Sequence, residues 1–317
     1  MGTPEFAVGT LQALVEGGYN VVAAVTQPDK PVGRHQDTLM PSAVKQYAVS
    51  VGLPVLQPVK MKDPQFVDEL SGYNADLQVV VAFRMLPEVV WSMPRFGTFN
   101  VHAALLPQYR GAAPINWAVI NGEKQTGVTT FFLDHEIDTG RVIMQATFEI
   151  KDDYNVGDVY DGLMTLGADL ALKTIDKIIE GGGHVDSLPQ DEMMPAGKEL
   201  HNAPKIFKET CRMDWTLTAE QIHNFVRGLS PYPGAWTCLV SDSGKSAVLK
   251  IFKTSLTGIS CDGHKPGTIK INSGNILAAT ADNWLQLEEI QLSGKKRMGS
   301  KTFLNGFRDI ESHTLTK

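Results

Sequence analysis

The chain has 317 residues, of which 43% are hydrophobic and 20% are charged, and its formal net charge is −6. This length and composition are ordinary for a soluble globular protein with two domain-sized cores. No apolar run approaches the roughly 18 residues of a membrane-spanning helix, and no basic-then-apolar leader opens the chain. The three cysteines are too few and too scattered for a metal site or a disulfide framework. We therefore expect a cytoplasmic protein without a metal and without membrane contact.

The first half alternates strand and helix patterns. Two of its predicted strands, 21–26 and 77–83, are continuous apolar runs, which are typical of strands buried on both faces. The predicted strands are 21–26, 77–83, 97–103, 127–133 and 141–150, and the predicted helices are 41–49, 63–73 and 155–181. A strand, helix, strand order at this spacing predicts an α/β domain over residues 1–183, with a Rossmann-like, doubly wound and mostly parallel sheet.

The second half has a different pattern. Residues 184–204 contain several Gly and Pro residues and no clear period, so we interpret them as a linker. A helix is predicted at 218–229, and it is followed by short strands between Gly, Ser and Asp turns. These strands are 235–240, 247–254, 267–271, 275–280 and 284–291. Residues 205–317 are therefore predicted to form a small β-barrel domain.

Charge is unevenly divided between these halves. Residues 205–317 carry 15 Lys or Arg against 10 Asp or Glu, whereas residues 1–204 carry 14 against 25. A basic second half attached to an acidic first half favours an anionic partner for the second half, such as a nucleic acid.

Three polar residues carry the chemistry that the sequence suggests. Asn100 and His102 share one predicted strand, so both side chains point to the same face. Asp138 lies in a turn that ends at Gly140, after the next apolar run. A carboxylate there can hold one imidazole nitrogen while the other meets a substrate. A carboxamide, an imidazole and a carboxylate are the groups needed to move an acyl group onto an amine without a covalent intermediate.

The stretch from Asn100 to Thr129, together with the Ile-Asp-Thr-Gly turn at 137–140, closely resembles the folate-dependent formyltransferases. Segments elsewhere in the chain resemble the branch of that family that acts on methionyl-tRNA. They are GTPEFAV (2–8), TQPDKPVGR (26–34), LMPSAVK (39–45), RGLSPYPGAW (227–236) and GKKRM (294–298). The resemblance covers nearly the whole chain, and it implies an OB-like barrel at the C-terminus.

The resemblance implies transfer of the formyl group of 10-formyltetrahydrofolate to the amino group of methionyl initiator tRNA, in translation initiation. Asn100 and His102 would stabilise the oxyanion, and Asp138 would favour the imidazolium form and accept the amine proton. Two segments match the folate-binding loops of the family: Ala104, Leu105, Leu106 and Pro107, and Phe83, Arg84, Met85 and Leu86. Relatives commonly have Ser at the position of Ala104.

Contacts with tRNA are implied at two places. Arg34 matches the loop with which the family engages the acceptor stem, although residues 35–38 are less basic here than in relatives. Lys295, Lys296, Arg297 and Lys301 form a basic cluster that is suited to phosphates. The resemblance also implies a monomer.

The start of the chain departs from the family pattern. Met1-Gly2-Thr3-Pro4 matches the loop that in relatives follows the first strand, so we expect that this central strand is missing and that Met1 is not the native start. A sheet without its central strand leaves backbone groups without partners.

Three alternatives stay open at this point. The same triad would serve a formyltransferase that acts on a small amine, such as an amino sugar or a ribonucleotide. It would also serve a hydrolase of formyltetrahydrofolate, and the third alternative is an RNA-binding protein that has lost catalysis. Dinucleotide binding, zinc hydrolysis and serine hydrolysis lack their motifs in this sequence.

Overall fold

The computed structural model describes residues 1–32, 38–194, 197, 199–307 and 309–317. The chain divides into two compact units. The first unit consists of residues 1–111, 125–149 and 160–202, and the second unit consists of 112–124, 150–159 and 203–317. The domain boundaries predicted at 183 and 205 stay predictions.

Local sequence explains where the helices begin. Ser42 and Asp63 accept hydrogen bonds from the first-turn N–H groups of α2 and α3, and Thr218 and Gln221 form a reciprocal capping box on α7. In the described chain the helices are α1 (Glu5–Glu16), α2 (Ala43–Ser50), α3 (Pro64–Gly72), α4 (Glu88–Trp91), α5 (Pro114–Ile120), α6 (Val156–Glu180), α7 (Ala219–Leu229) and α8 (Ser300–Gly306). The predicted helices at 41–49, 63–73, 155–181 and 218–229 are all present, whereas α4, α5 and α8 lack a clear sequence signal.

Strands of the first unit range from two to eight residues in length. They are β1 (Ala24–Val25), β2 (Lys30–Val32), β3 (Thr38–Met40), β4 (Val55–Leu56), β5 (Gln78–Val81), β6 (Thr98–His102), β7 (Arg110–Gly111), β8 (Gln125–Phe132) and β9 (Val142–Glu149). β1 pairs with β4 and β5 pairs with β6, in both cases in parallel, and β8 and β9 continue the sheet in antiparallel fashion. The predicted Rossmann-like α/β domain is confirmed.

An open slot separates β1 from β5, because no described strand pairs with both. Met1 and Gly2 lie at one end of the slot, where Met1 N donates to Val79 O at 2.6 Å and Gly2 N donates to Val25 O at 3.0 Å. Gly2 has no room for a side chain, because a Cβ there would lie 2.4 Å from that of Ala7. Behind these two residues is a cavity of about 600 Å³ with a mostly apolar lining. The edges of β1 and β5 that face the slot thus lack a shared strand among the described residues.

The second unit is a curled antiparallel sheet with helices against it. Its strands are β11 (Ala235–Ser241), β12 (Ser246–Ser260), β13 (Ile269–Asn272), β14 (Asn275–Ala279), β15 (Asn283–Leu292), β16 (Met298–Gly299) and β17 (His313–Thr316). A further short strand, β10 (Asn202–Ala203), spans the boundary between the two units in the sequence. The sheet order is β13, β14, β15, β12, β11, β17. A bridge between Thr268 and Thr314 brings the two edges together. This closure confirms the predicted OB-like domain.

Each unit has its own apolar core. In the first unit the core includes Val25, Leu56, Phe66 and Val80. In the second unit α7 packs Ile222 and Val226 against inward-facing residues of the sheet, such as Leu285. None of the described helices is long and apolar enough to span a membrane.

Candidate active site

His102 is the last residue of β6, and the strand explains its placement. Phe99 and Val101 face the apolar core, so the alternation of the strand puts Asn100 and His102 on the opposite face. The His102 ring is only 6% exposed. Its Nε2 lies 2.9 Å from the carbonyl oxygen of Tyr109. Because a carbonyl oxygen only accepts, this contact places the proton of a neutral ring on Nε2.

Asp138 approaches the other nitrogen of that ring. Its Oδ2 lies 3.8 Å from His102 Nδ1, and the same oxygen accepts a hydrogen bond of 2.9 Å from Gly111 N. The structure therefore differs from the expected arrangement in one respect. Nε2 is already bonded to the protein, so Nδ1 is the nitrogen that is left to face both the carboxylate and a substrate.

The turn that carries Asp138 is conformationally demanding. Asp138 has a φ of 55°, in the left-handed region that non-glycine residues seldom adopt. Two residues later, a Cβ on Gly140 would lie 1.7 Å from Phe132 O, so only glycine fits there. The backbone conformation of the Asp-Thr-Gly turn therefore restricts which residues fit at 138 and 140, in addition to the need for a carboxylate.

Asn100 completes the group of three. The residue is half-buried, and its side-chain amide makes no hydrogen bond to any other residue that the structure describes. In the sheet it pairs with Val80 of β5 and Phe131 of β8, which fixes its backbone. An unbonded amide on a rigid strand is available to donate to an oxyanion.

The loop of Ala104, Leu105, Leu106 and Pro107 follows directly. Ala104 and Leu106 are fully buried, and their backbone groups are bonded inside the protein: Thr129 Oγ1 donates to Ala104 O and accepts from Leu106 N. Gln145 Nε2 donates to Leu106 O at 2.8 Å. Most of this loop is therefore a fixed frame, and Leu105 is its more accessible residue.

The second predicted folate loop is divided in the same way. Met85 is 72% exposed, whereas Leu86 belongs to the core. Arg84 donates to the carbonyl oxygens of Pro58 and Val59, and its burial lowers the pKa of the guanidinium. Phe83 is half-buried beside it. Met85 and Phe83 are thus the residues of this loop that are open to a ligand.

Of the predicted RNA-binding residues, Lys295, Lys296, Arg297 and Lys301 belong to the second unit. Arg34 falls outside the residues that the structure describes. Lys295, Lys296 and Lys301 are exposed, and none has an ion-pair partner among the described residues. Arg297 differs, because its Nε donates to Glu289 at 2.8 Å and its guanidinium lies 4.4 Å from the centre of the Phe252 ring. Its charge is already compensated within the sheet.

Three residues that hold the site together were not predicted from the sequence. They are Tyr109, whose carbonyl fixes His102; Gly111, whose N–H holds Asp138; and Gln190, which is bonded to the Asp138 turn. Each contact depends on a chain reversal or a long sequence separation, for which periodicity gives no signal. No group of three or more potential metal ligands occurs among the described residues.

The chain is similar to known proteins over nearly its whole length. The sequence profile described as formyl transferase matches residues 1–175, and that of the formyl transferase C-terminal domain matches residues 205–308. A relative named methionyl-tRNA formyltransferase from Parabacteroides distasonis is 57% identical, over 99% of this chain and 97% of the relative. A relative of the same name from Bacteroides fragilis is 55% identical, over 98% and 95%.

Among solved structures, this chain resembles an N-formyltransferase from Helicobacter canadensis that was crystallised with folinic acid and dTDP-3-aminofucose. The TM-score is 0.61 at 18% identity, and the match covers 94% of this chain and 97% of that one. At this identity the likeness concerns the fold of the two chains.

Proposed function

The chain belongs to the formyl transferase family, and from this premise we propose that it transfers the formyl group of 10-formyltetrahydrofolate to the amino group of methionine on initiator tRNA. Full-length similarity to relatives of that name, at 57% and 55% identity, supports this substrate pair. The observation that carries the proposal is the approach of Asp138 to His102 on the face of β6 that also bears Asn100.

The protein must stabilise an oxyanion, remove a proton from the attacking amine and allow a proton to reach the leaving nitrogen. The amine attacks the formyl carbon and forms a C–N bond, an oxyanion develops, and the bond between the carbon and the folate nitrogen then breaks. Asn100 donates its amide N–H to the oxyanion, and protonated His102 donates from Nδ1. Asp138 accepts the proton that the attacking amine loses, directly or through water, and the same proton passes on to the folate nitrogen as it leaves. The products are tetrahydrofolate and formyl-methionyl-tRNA.

His102 suits this role because of its contact with Tyr109. The bond from Nε2 to the carbonyl oxygen stops the ring from turning, so Nδ1 keeps one direction throughout the reaction. The hydrogen bond from Gly111 N restrains the carboxylate in the same way. Because these restraints order the catalytic groups before the substrate binds, little entropy is lost in positioning them during the reaction.

Folate binding would use the accessible residues of the two loops. Phe83, Met85 and Leu105 offer apolar side chains for the faces of a pterin ring. Ala104, Leu106, Pro107 and Leu86 are buried and would support the pocket from beneath. Arg84 would fix the position of its loop through the carbonyls of Pro58 and Val59.

Binding of tRNA would rest on positive charge in the second unit. Lys295, Lys296 and Lys301 are exposed and free of ion pairs with described residues, so their charges are available to phosphates. Arg297 would contribute less, because Glu289 neutralises it. We also propose contact at Arg34, a monomeric state and a cytoplasmic location.

A direct assay tests the proposal. The protein is incubated with 10-formyltetrahydrofolate and one of three acceptors: charged initiator tRNA, a dTDP-linked amino sugar, or water alone. We expect formyl transfer only to the charged tRNA. Transfer to the amino sugar would identify a sugar formyltransferase, and release of formate without an acceptor would identify a hydrolase. Either result would overturn the proposal.

A further inference from the structure

Gln190 is a buried side chain that joins two segments of the active site from a third. It begins a short 3-10 turn, Gln190–Met193, and is 3% exposed. Its Nε2 donates to the carbonyl oxygens of Asp138 and Gly140, at 2.8 Å each. Its Oε1 accepts from Nε and Nη2 of Arg110, at 2.9 and 2.7 Å. All the hydrogen-bonding atoms of the amide are therefore in use.

Both segments that Gln190 holds lead to the same carboxylate. Arg110 precedes Gly111, whose N–H binds Asp138 Oδ2, and the carbonyls of Asp138 and Gly140 belong to the turn that presents Asp138. The φ of 55° at Asp138 costs on the order of 1 kcal/mol or more, so the turn persists only where its surroundings fix it. Gln190 supplies that restraint on both sides of the carboxylate.

Only a neutral carboxamide satisfies these partners. Two carbonyl oxygens require donors, and a guanidinium requires an acceptor. A carboxylate at this place would accept from Arg110 but would face the two carbonyls without a proton to donate. A lysine would donate but could not accept, and a leucine would leave all the partners without bonds in a buried place.

The segment that carries Gln190 has a separate anchor. Leu188 and Val142 exchange two backbone hydrogen bonds of 2.8 Å each, so the segment is attached to the start of β9 without the Gln190 side chain. The loss of the amide therefore changes the position of Asp138 rather than the path of the chain.

We propose that Gln190 is a positioning residue that holds the Asp138 carboxylate beside His102 Nδ1, where the carboxylate accepts the proton of the attacking amine, an inference that rests on the proposed function. Because the carboxylate and the ring nitrogen are already 3.8 Å apart, a further shift in the turn would break their cooperation. A misplacement of about 1 Å can cost about 100-fold in rate.

The test compares Gln190→Glu and Gln190→Leu with the unaltered protein in formyl transfer to charged initiator tRNA. We expect kcat to fall about 10- to 100-fold in both variants, while KM for each substrate changes less than about threefold. The matched control is Gln78→Leu, which removes another buried amide of the first unit, bonded to Thr98 and away from Asp138. It should lower the unfolding temperature but leave kcat unchanged.

The pH dependence supplies a second readout that a purely structural role would not produce. When the carboxyl introduced by Gln190→Glu takes up a proton, it regains one donor for the carbonyls of the turn. The ratio of its kcat to that of the unaltered protein should therefore rise as the pH is lowered, whereas the ratio for Gln190→Leu should stay flat.

The outcomes separate the two claims. No transfer by the unaltered protein would refute the proposed function. Transfer by the unaltered protein with a kcat for Gln190→Glu within twofold of it, or a flat pH ratio, would refute the positioning role alone. An equal loss of kcat in Gln78→Leu would show that general destabilisation is the cause, and it would also overturn the inference.

Discussion

The two places where this protein is proposed to meet its substrates are built differently. At the end of β6, His102 and Asp138 are each held by a backbone group from another segment, Tyr109 O and Gly111 N. After β15, the side chains of Lys295 and Lys296 are exposed and have no ion-pair partner among the described residues. Proton transfer is sensitive to changes of a few tenths of an ångström in the distance between the groups, whereas attraction to phosphate depends on charge and acts beyond direct contact. The first site is therefore characterised by side chains that are held in place, and the second by exposed lysines without ion-pair partners among the described residues.

The largest effect is expected from substitutions at the first site, where the reaction takes place. His102→Ala or Asp138→Asn is expected to lower kcat about 100- to 1,000-fold, because each removes a group that acts only in the transition state. KM for tRNA should change little, since the basic residues of the second unit are untouched. Steady-state kinetics with charged initiator tRNA measure both constants.

A matched control lies in the same loop. Asp134→Asn makes the same chemical change as Asp138→Asn, at an exposed residue whose side chain bonds, among the described residues, only to the N–H of His135. Its kcat should stay within twofold of the unaltered value. An equal loss in both variants would mean that loop charge in general, and not the carboxylate beside His102, supports the reaction.

The next effect concerns the second site. Replacement of Lys295, Lys296 and Lys301 by Ser together should raise KM for tRNA about tenfold at 0.15 M salt, and should reduce the salt slope by about one unit for each phosphate that is no longer neutralised. The value of kcat should be unchanged.

A control with the same change in net charge lies in the first unit. Lys60, Lys62 and Lys173 are exposed there, and their replacement by Ser should leave KM for tRNA and its salt slope unchanged. An equal rise in KM for both triple variants would show that total charge, rather than the cluster after β15, attracts the tRNA.

A substitution of Arg297 is expected to affect KM for tRNA less than the substitution of the three lysines. Its charge is compensated by Glu289 and its side chain lies over Phe252, so Arg297→Gln should change KM for tRNA less than twofold. An effect as large as that of the three lysines combined would show that the ion pair opens to bind RNA.

The sequence predicted where Asn100, His102 and Asp138 lie better than it predicted the contacts that hold them. Period-two alternation placed Asn100 and His102 on one face of a strand, and the Gly140 turn placed Asp138 after the next strands. Alternation could not predict which imidazole nitrogen is free, because Tyr109 reaches His102 only after the chain reverses through residues 103–108. Gln190 lies 52 residues from Asp138 in a segment without a period, so no local pattern indicated its role.

The second unit shows a related limit. Turn residues and short apolar runs predicted its strands, but the cross-strand ion pair of Arg297 depends on the pairing of Glu289 with Gly299. That register is a property of the folded hairpin. A count of basic residues alone therefore overestimates the charge that is available to RNA.

A smaller effect concerns the slot between β1 and β5. A fusion of six apolar residues ahead of Met1 would supply a parallel strand to both edges and fill the cavity of about 600 Å³. We expect a rise of several degrees in the unfolding temperature with little change in kcat. A matched fusion with prolines at alternate positions lacks the donors for one of the two edges, which excludes it from a central strand, and it should have no such effect.

The same fusion should alter the pH dependence of stability. Burial lowers the pKa of the Met1 amino group from 8.0 to about 5. Between those values the unfolded chain binds a proton that the folded chain does not, so the free energy of unfolding falls as the pH drops from 8 to 5, by at most about 1.4 kcal/mol per pH unit. The fused chain has no amino group in the slot and should lose this dependence. Denaturant titrations at pH 5, 6.5 and 8 would measure it.

The most direct test of the account is a double-mutant cycle on kcat for formyl transfer to charged initiator tRNA. In the proposed mechanism, His102 and Asp138 act as one unit on a single formyl carbon. The combination of His102→Ala with Asp138→Asn should then cost no more than about threefold beyond the worse single variant. A loss equal to the product of the two single losses would show that the residues act independently, and it would contradict the account.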